Sequence, residues 1–207
     1  MTGRLAALVI AVLATLWAAA YAAPVFPALS GRVVDEAGVL SPHAETRLTQ
    51  RLAALEESTG RQVVVVTLRS LQGYEIEDYG YQLGRAWGIG RAAEDDGVLL
   101  IVAPNERRVR IEVGYGLEPV LTDALSSAIL NRRVLPRFRA GDMEGGVVAG
   151  ADAIIEQLAL PADEAQARAA EAQQEEAAGG GGFGLMQIIL LFVFLLILSS
   201  LLGGGRR

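Results

Sequence analysis

The residues of this chain best suited to chemistry are carboxylates. Asp35, Glu36, Glu94, Asp95, Asp96, Glu118 and Asp123 fall in segments that read as loops flanking strands and helices. Oxygen-rich loops with backbone carbonyls nearby suit a hard cation such as Ca2+ or Mg2+. Gly97, Gly114 and Gly116 would let the backbone come close to such an ion. The spacing is not that of an EF-hand loop, so a site would be assembled from distant loops. Each acid also has a plainer role open to it. Asp35 can make an Asx-turn before Gly38. Asp96-Gly97 can simply start a strand. Asp123 in a first helical turn suits the helix dipole.

Other catalytic groups are scarce. The lone histidine, His43, stands beside Pro42 at a helix start, with no nearby pair resembling a base and its orienter, and no histidine cluster exists for zinc. The chain has no cysteine and no lysine. Disulfides, thiolate metal sites and Schiff-base chemistry are therefore excluded. Trp87-Gly-Ile-Gly90 is not a phosphate-binding loop, so no nucleotide is expected. A net charge of −6 argues against a nucleic-acid partner. Arg132, Arg133, Arg137 and Arg139 form one basic run, readable as an anion site or as a solvated face paired with acids. Tyr115, between two glycines, reads as a contact anchor or as packing over a sheet edge.

These residues need a scaffold, and the chain divides into parts that supply one. Residues 1–22 carry Arg4, an apolar run and Ala20-Tyr21-Ala22, the pattern of a signal peptide. Residues 30–160 mix periodicities and turn signals, as a folded domain does. Residues 161–184 are rich in Ala, Glu and Gly with no large apolar stripe, which predicts a solvated stalk, partly helical. Residues 185–202 are apolar and uncharged, long enough for a transmembrane helix. Residues 203–207 end in Arg206 and Arg207, which favour the cytoplasmic side. Together these place the domain outside the cytoplasm on a single membrane span.

Within the domain, Val33-Val34-Asp35 reads as a short strand. Ser41-Pro42 starts a helix that carries Leu48, Leu52 and Leu55 and stops at Gly60. The β-branched run from Gln62 to Leu68 suits a strand covered on both faces. Ile76, Tyr79, Leu83 and Trp87 mark a second helix, and Val98 to Ala103 the next buried strand, making a right-handed βαβ crossover. Arg108 to Val113 alternates, with Val109, Ile111 and Val113 inward and Arg108, Arg110 and Glu112 outward. That predicts an antiparallel edge strand whose charges discourage edge-to-edge pairing. Thr122 caps a third helix interrupted by Pro136, and Val147 to Leu158 gives the last. The sum is a three-layer α/β domain with a small mixed sheet.

Val34-Asp-Glu-Ala-Gly-Val-Leu-Ser41, Gly60 to Val66, Asp96-Gly-Val-Leu-Leu-Ile-Val102, Val113-Gly-Tyr-Gly-Leu-Glu118 and Thr122-Asp-Ala124 resemble successive motifs of the TPM domain. Phe138-Arg-Ala-Gly-Asp142 resembles its later Pro-x-Phe-x-x-Gly-Asp segment. The leader, glycine hinge and C-terminal span are similar to those of bacterial membrane-anchored members. The resemblance implies a Rossmann-like α/β/α sandwich and one of two activities. Plant members are linked to photosystem repair and described as acid phosphatases with a divalent-ion site; animal members act as auxiliary membrane proteins at receptors. Carried over, it implies an acidic cleft with Asp35, Asp96 and Asp123 as metal ligands, shaped by Gly114 to Gly116. It implies either a binding or assembly module for a membrane-protein partner, or a phosphatase.

Overall fold

Four valines in a row, Val63 to Val66, have no solvent-facing side, and that fixes the middle of the fold. The computed structural model describes residues 23–91, 93–179, 190 and 192–195. The expected signal peptide, most of the expected span and the Gly/Arg tail lie outside them. Among the described residues, no helix is long and apolar enough to cross a membrane.

Strands β1 (Val33–Asp35), β2 (Gln62–Thr67), β3 (Gly97–Ala103) and β4 (Arg108–Val113) form one sheet in the order β1-β2-β3-β4. The first three are parallel and β4 runs antiparallel to β3, as its alternation predicts. Both faces are covered. Val63, Val65, Val98, Leu100 and Val102 pack under helices α1 (Pro42–Thr59), α3 (Asp123–Ile129) and α5 (Met143–Leu158). Val64, Val66, Leu99 and Ile101 pack under α2 (Ile76–Trp87). The layering expected of a Rossmann-like sandwich is present. The strand order, however, lacks the reversal that opens a ligand crevice in doubly wound sheets.

The helices begin and end where their chemistry dictates. The Ser41 hydroxyl accepts the Ala44 N–H at the start of α1, and Gly60 closes it at φ +74°. Gly88 closes α2 at φ +61°. The Thr122 hydroxyl accepts the Leu125 N–H at the start of α3. Beyond Ile129 the helix does not break at Pro136 as expected. A π-helical turn, Leu130–Val134, carries it into α4 (Leu135–Arg139), whose first turn tolerates a proline.

Two parts of the chain dock that were not expected to. Residues before Ser30 strap α2: the Phe26 ring meets Tyr79 edge-on at 5.2 Å, and the Trp87 indole N–H donates to the Pro27 carbonyl at 2.9 Å. The expectation of an undocked stalk also needs correction. Helix α6 (Ala162–Gly179) buries Ala165, Ala169 and Ala172 in the main core. Its apolar stripe is made of alanines, small enough for close helix contact but with little apolar surface. The Gln157 amide is buried with them and donates to the Val120 and Ala165 carbonyls at 2.5 and 2.9 Å.

Candidate functional site

The loop between α2 and β3 is built around one ion pair, between the half-exposed Arg91 and the buried Asp96. Arg91 donates its backbone N–H to Asp96 Oδ1 at 2.8 Å and its Nε to Oδ2 at 2.7 Å, with a second guanidinium nitrogen on the same oxygen. Asp96 is 4 % exposed. Burial alone would push its carboxyl up, but the Arg91 hydrogen bonds and charge outweigh it and hold the group below the ordinary aspartate range. Both Asp96 oxygens are thus committed to the loop that carries them.

A second contact locks this loop to the turn after β4. Gly114 N–H donates to the Gly97 carbonyl at 2.7 Å and Gly116 N–H to the Asp95 carbonyl at 3.0 Å. A Cβ on Gly114 would overlap the Asp95 carbonyl, one on Gly116 the Glu94 carbonyl, and one on Gly97 the Ile89 carbonyl. These glycines let backbone approach backbone, where the sequence suggested backbone approaching an ion. Between them stands Tyr115. Its N–H donates to Asp95 Oδ2 at 3.2 Å, and its ring is 77 % exposed. The backbone is fixed while the side chain is free.

A cleft of about 590 Å³ opens beside it, bounded by the end of α2, the 88–96 loop and the ends of β3 and β4. Tyr81 and Arg85 form one wall, with the guanidinium 5.6 Å from the ring centroid and donating to the Tyr81 hydroxyl at 2.9 Å. Asp95, Glu112, Glu118 and Tyr115 also line it. Glu112 is held by Arg110 Nε at 2.6 Å.

Asp35 lies at the other end of the sheet. It pairs in register with Thr67, the last residue of β2, whereas Gly97, next to Asp96, pairs with Gln62, the first. The strand between separates them by roughly 17 Å at about 3.3 Å per residue. Asp35 accepts the Val39 and Leu40 N–H groups at 3.1 and 2.9 Å and the Thr67 hydroxyl, so it holds the turn before α1. Asp123 is exposed in the first turn of α3. The structure does not bring Asp35, Asp96 and Asp123 together. As a set they do not fit one divalent ion, because two are saturated by protein donors at opposite ends of the sheet. Among the described residues, no group of three acidic or histidine side chains is placed to hold a metal.

The family model described as the TPM domain, labelled TPM_phosphatase, matches residues 33–157. This chain belongs to the TPM domain family. Among solved structures, it is similar to the N-terminal domain of a protein from P. gingivalis, with 40% identity and a TM-score of 0.58 over 61% of this chain and 81% of that one. The N-terminal domain of cg2496 from Corynebacterium glutamicum shares 22% identity and a TM-score of 0.50, covering 68% and 89% of the two chains. BA42 from Bizionia argentinensis shares 19% identity and a TM-score of 0.51, covering 58% and 81%. These last two likenesses speak for the fold alone. No curated protein matches the chain.

In this TPM-domain protein, two arginines of the basic run take the plainer role. Arg132 pairs with Glu175 of α6, and Arg137 lies 3.5 Å from Asp142. Sequence reasoning missed Arg91, although an arginine just after Gly90 and five residues before Asp96-Gly97 is the available signal. It also missed Tyr81 and Arg85, whose i,i+4 spacing puts them on one helix face. Of the two adjacent aspartates, Asp95, held at φ +49°, faces the cleft, while Asp96 turns inward.

Proposed function

We propose that this TPM-domain protein is a membrane-tethered, extracytoplasmic binding module. It uses the cleft beside Tyr115 to hold a segment of a membrane-protein partner, in an assembly or repair role. The observation that carries this reading is Tyr115 itself. A large aromatic ring stands exposed on a backbone clamped by glycines, so little conformational entropy is lost when a partner covers it. Interface hot spots favour tyrosine for this combination of area and rigidity. The uncharged run from Leu185 to Leu202 supports the tether; Phe192–Leu195 are helical and exposed in the protein alone. The test is capture from the protein's own membranes by the full chain and by Tyr115→Ala. A partner recovered by the first and lost by the second, at equal melting temperature, supports the module. Equal recovery by both removes the cleft from the function.

A second reading, a metal-dependent acid phosphatase, is favoured by the phosphatase label on the matched family model. A calcium or magnesium ion would then need donors other than the Asp35, Asp96 and Asp123 set. Turnover of a chromogenic phosphate ester by the full chain, abolished by chelator, would decide for it.

A further inference from the structure

Strand β4 ends the sheet, and its outer edge has no partner among the described residues. The register tells which backbone groups face that edge. Gly114 N–H reaches the Gly97 carbonyl, and Val98 stands opposite Val113. In an antiparallel ladder the bonding direction alternates. Hence Arg108, Arg110 and Glu112 bond back to β3, while the N–H and C=O groups of Val109, Ile111 and Val113 point outward. Among the described residues, no other hydrogen bond is made to those three.

We propose that this edge pairs with the β4 edge of a second copy of the chain, across a two-fold axis at Ile111. In that register Val109 faces Val113 of the second copy, and Ile111 faces its own counterpart. All three outward residues then exchange backbone hydrogen bonds, and the two sheets join as one of eight strands. The same register sets Arg110 opposite Glu112 of the second copy, twice. These fall on non-hydrogen-bonded positions, where facing side chains come closest.

The charges select this pairing from its neighbours. Moving the axis to Arg110 puts arginine against arginine, and moving it to Glu112 puts glutamate against glutamate. Either shift also leaves an outward residue of each strand unpaired. The alternating charges that oppose indiscriminate edge pairing therefore admit one self-complementary alignment. Arg110 is already poised for the exchange, since it lies 3.8 Å from Glu77 and 2.6 Å from Glu112 of its own chain. Gly114 offers no side chain to obstruct the facing Arg108. Extending the ladder one step further sets Arg107 of the second copy opposite Tyr115, at the mouth of the cleft.

The chain has no cysteine, so introduced ones report without background. Full-length Arg110→Cys and Glu112→Cys chains, differently tagged, are co-expressed, and their membranes are treated with a mild oxidant. The mixed pair should cross-link. Each variant alone should cross-link at least about tenfold less, because like positions lie two residues out of register, beyond disulfide reach. Full-length Arg110→Glu should sediment in micelles as a monomer, and Arg110→Glu with Glu112→Arg should restore the wild-type dimer. Protease resistance of each variant confirms folding. Equal cross-linking of like chains, no cross-linking between folded mixed chains, or disulfides formed only to another protein would each overturn the pairing.

Discussion

Asp96 shows how one residue's setting decides its use. Its carboxyl is held below the ordinary value, so the unfolded chain binds its proton more readily than the folded one. The stability this contributes is complete above the ordinary aspartate pKa, about 3.9. It is lost as the pH falls through the lower folded value. Asp96→Asn should therefore cost about 1–3 kcal/mol at neutral pH, the usual range for breaking a buried hydrogen-bonded group. The gap from the native protein should narrow below about pH 4, and denaturant melts across pH 2.5 to 7 would measure it. Gly116→Ala should cost more than about 2 kcal/mol, since its Cβ meets a carbonyl that cannot move without opening the Asp95 contact. Gly31→Ala, with open space around it, is the control in the same melts. The sequence made the carboxylates visible but not their commitments. Asp95 and Asp96 are adjacent, yet one lines the cleft and the other is buried on Arg91. That division follows from a left-handed turn at Asp95 that no residue type announces.

At the scale of elements, the run of valines, the caps at Ser41 and Thr122 and the glycine stops were all legible, because each is a local signal. Helix α6 was not. Three alanines spaced along a helix look polar-neutral in a sequence, yet Ala165 and Ala169 are fully buried against the domain. Burying their methyl groups contributes roughly 0.8 kcal/mol each, about 2 kcal/mol for the stripe. A charge in its middle should release it. Ala169→Glu should make the 162–179 region cleavable under limited proteolysis, while the rest of the domain stays resistant. Protection equal to the native protein would show that α6 is held by something other than its stripe. The arginine run was open to two readings, and Glu175 of this same helix decides for the paired one at Arg132.

The arrangement of the whole molecule was the least legible. Helices α1 and α2 both cross between parallel neighbours, and both crossovers step the same way across the sheet. They nonetheless cover opposite faces, so the two crossovers have opposite hands, and only one obeys the general right-handed preference. Nothing local encodes that. The separation of the two acids has another origin: Asp35 ends β1 and Asp96 precedes β3, and because these strands run parallel the two positions lie at opposite ends of β2. Asp35→Asn should accordingly destabilise the turn before α1 by about 1–2 kcal/mol. It should leave any calcium-induced rise in melting temperature unchanged. A loss of that rise in Asp35→Asn would reinstate the residue as an ion ligand.

Helix α6 also sets a distance. Its 18 residues span about 27 Å at roughly 1.5 Å per residue. It lies between the domain and the apolar run read as the anchor. On the tether proposed above, docking of this rod on α3 would shorten the reach of the domain from its mooring. The alanine stripe contributes only about 2 kcal/mol, so undocking this rod would be one of the least costly openings of the molecule. Once undocked, it would lengthen such a leash by up to its own span.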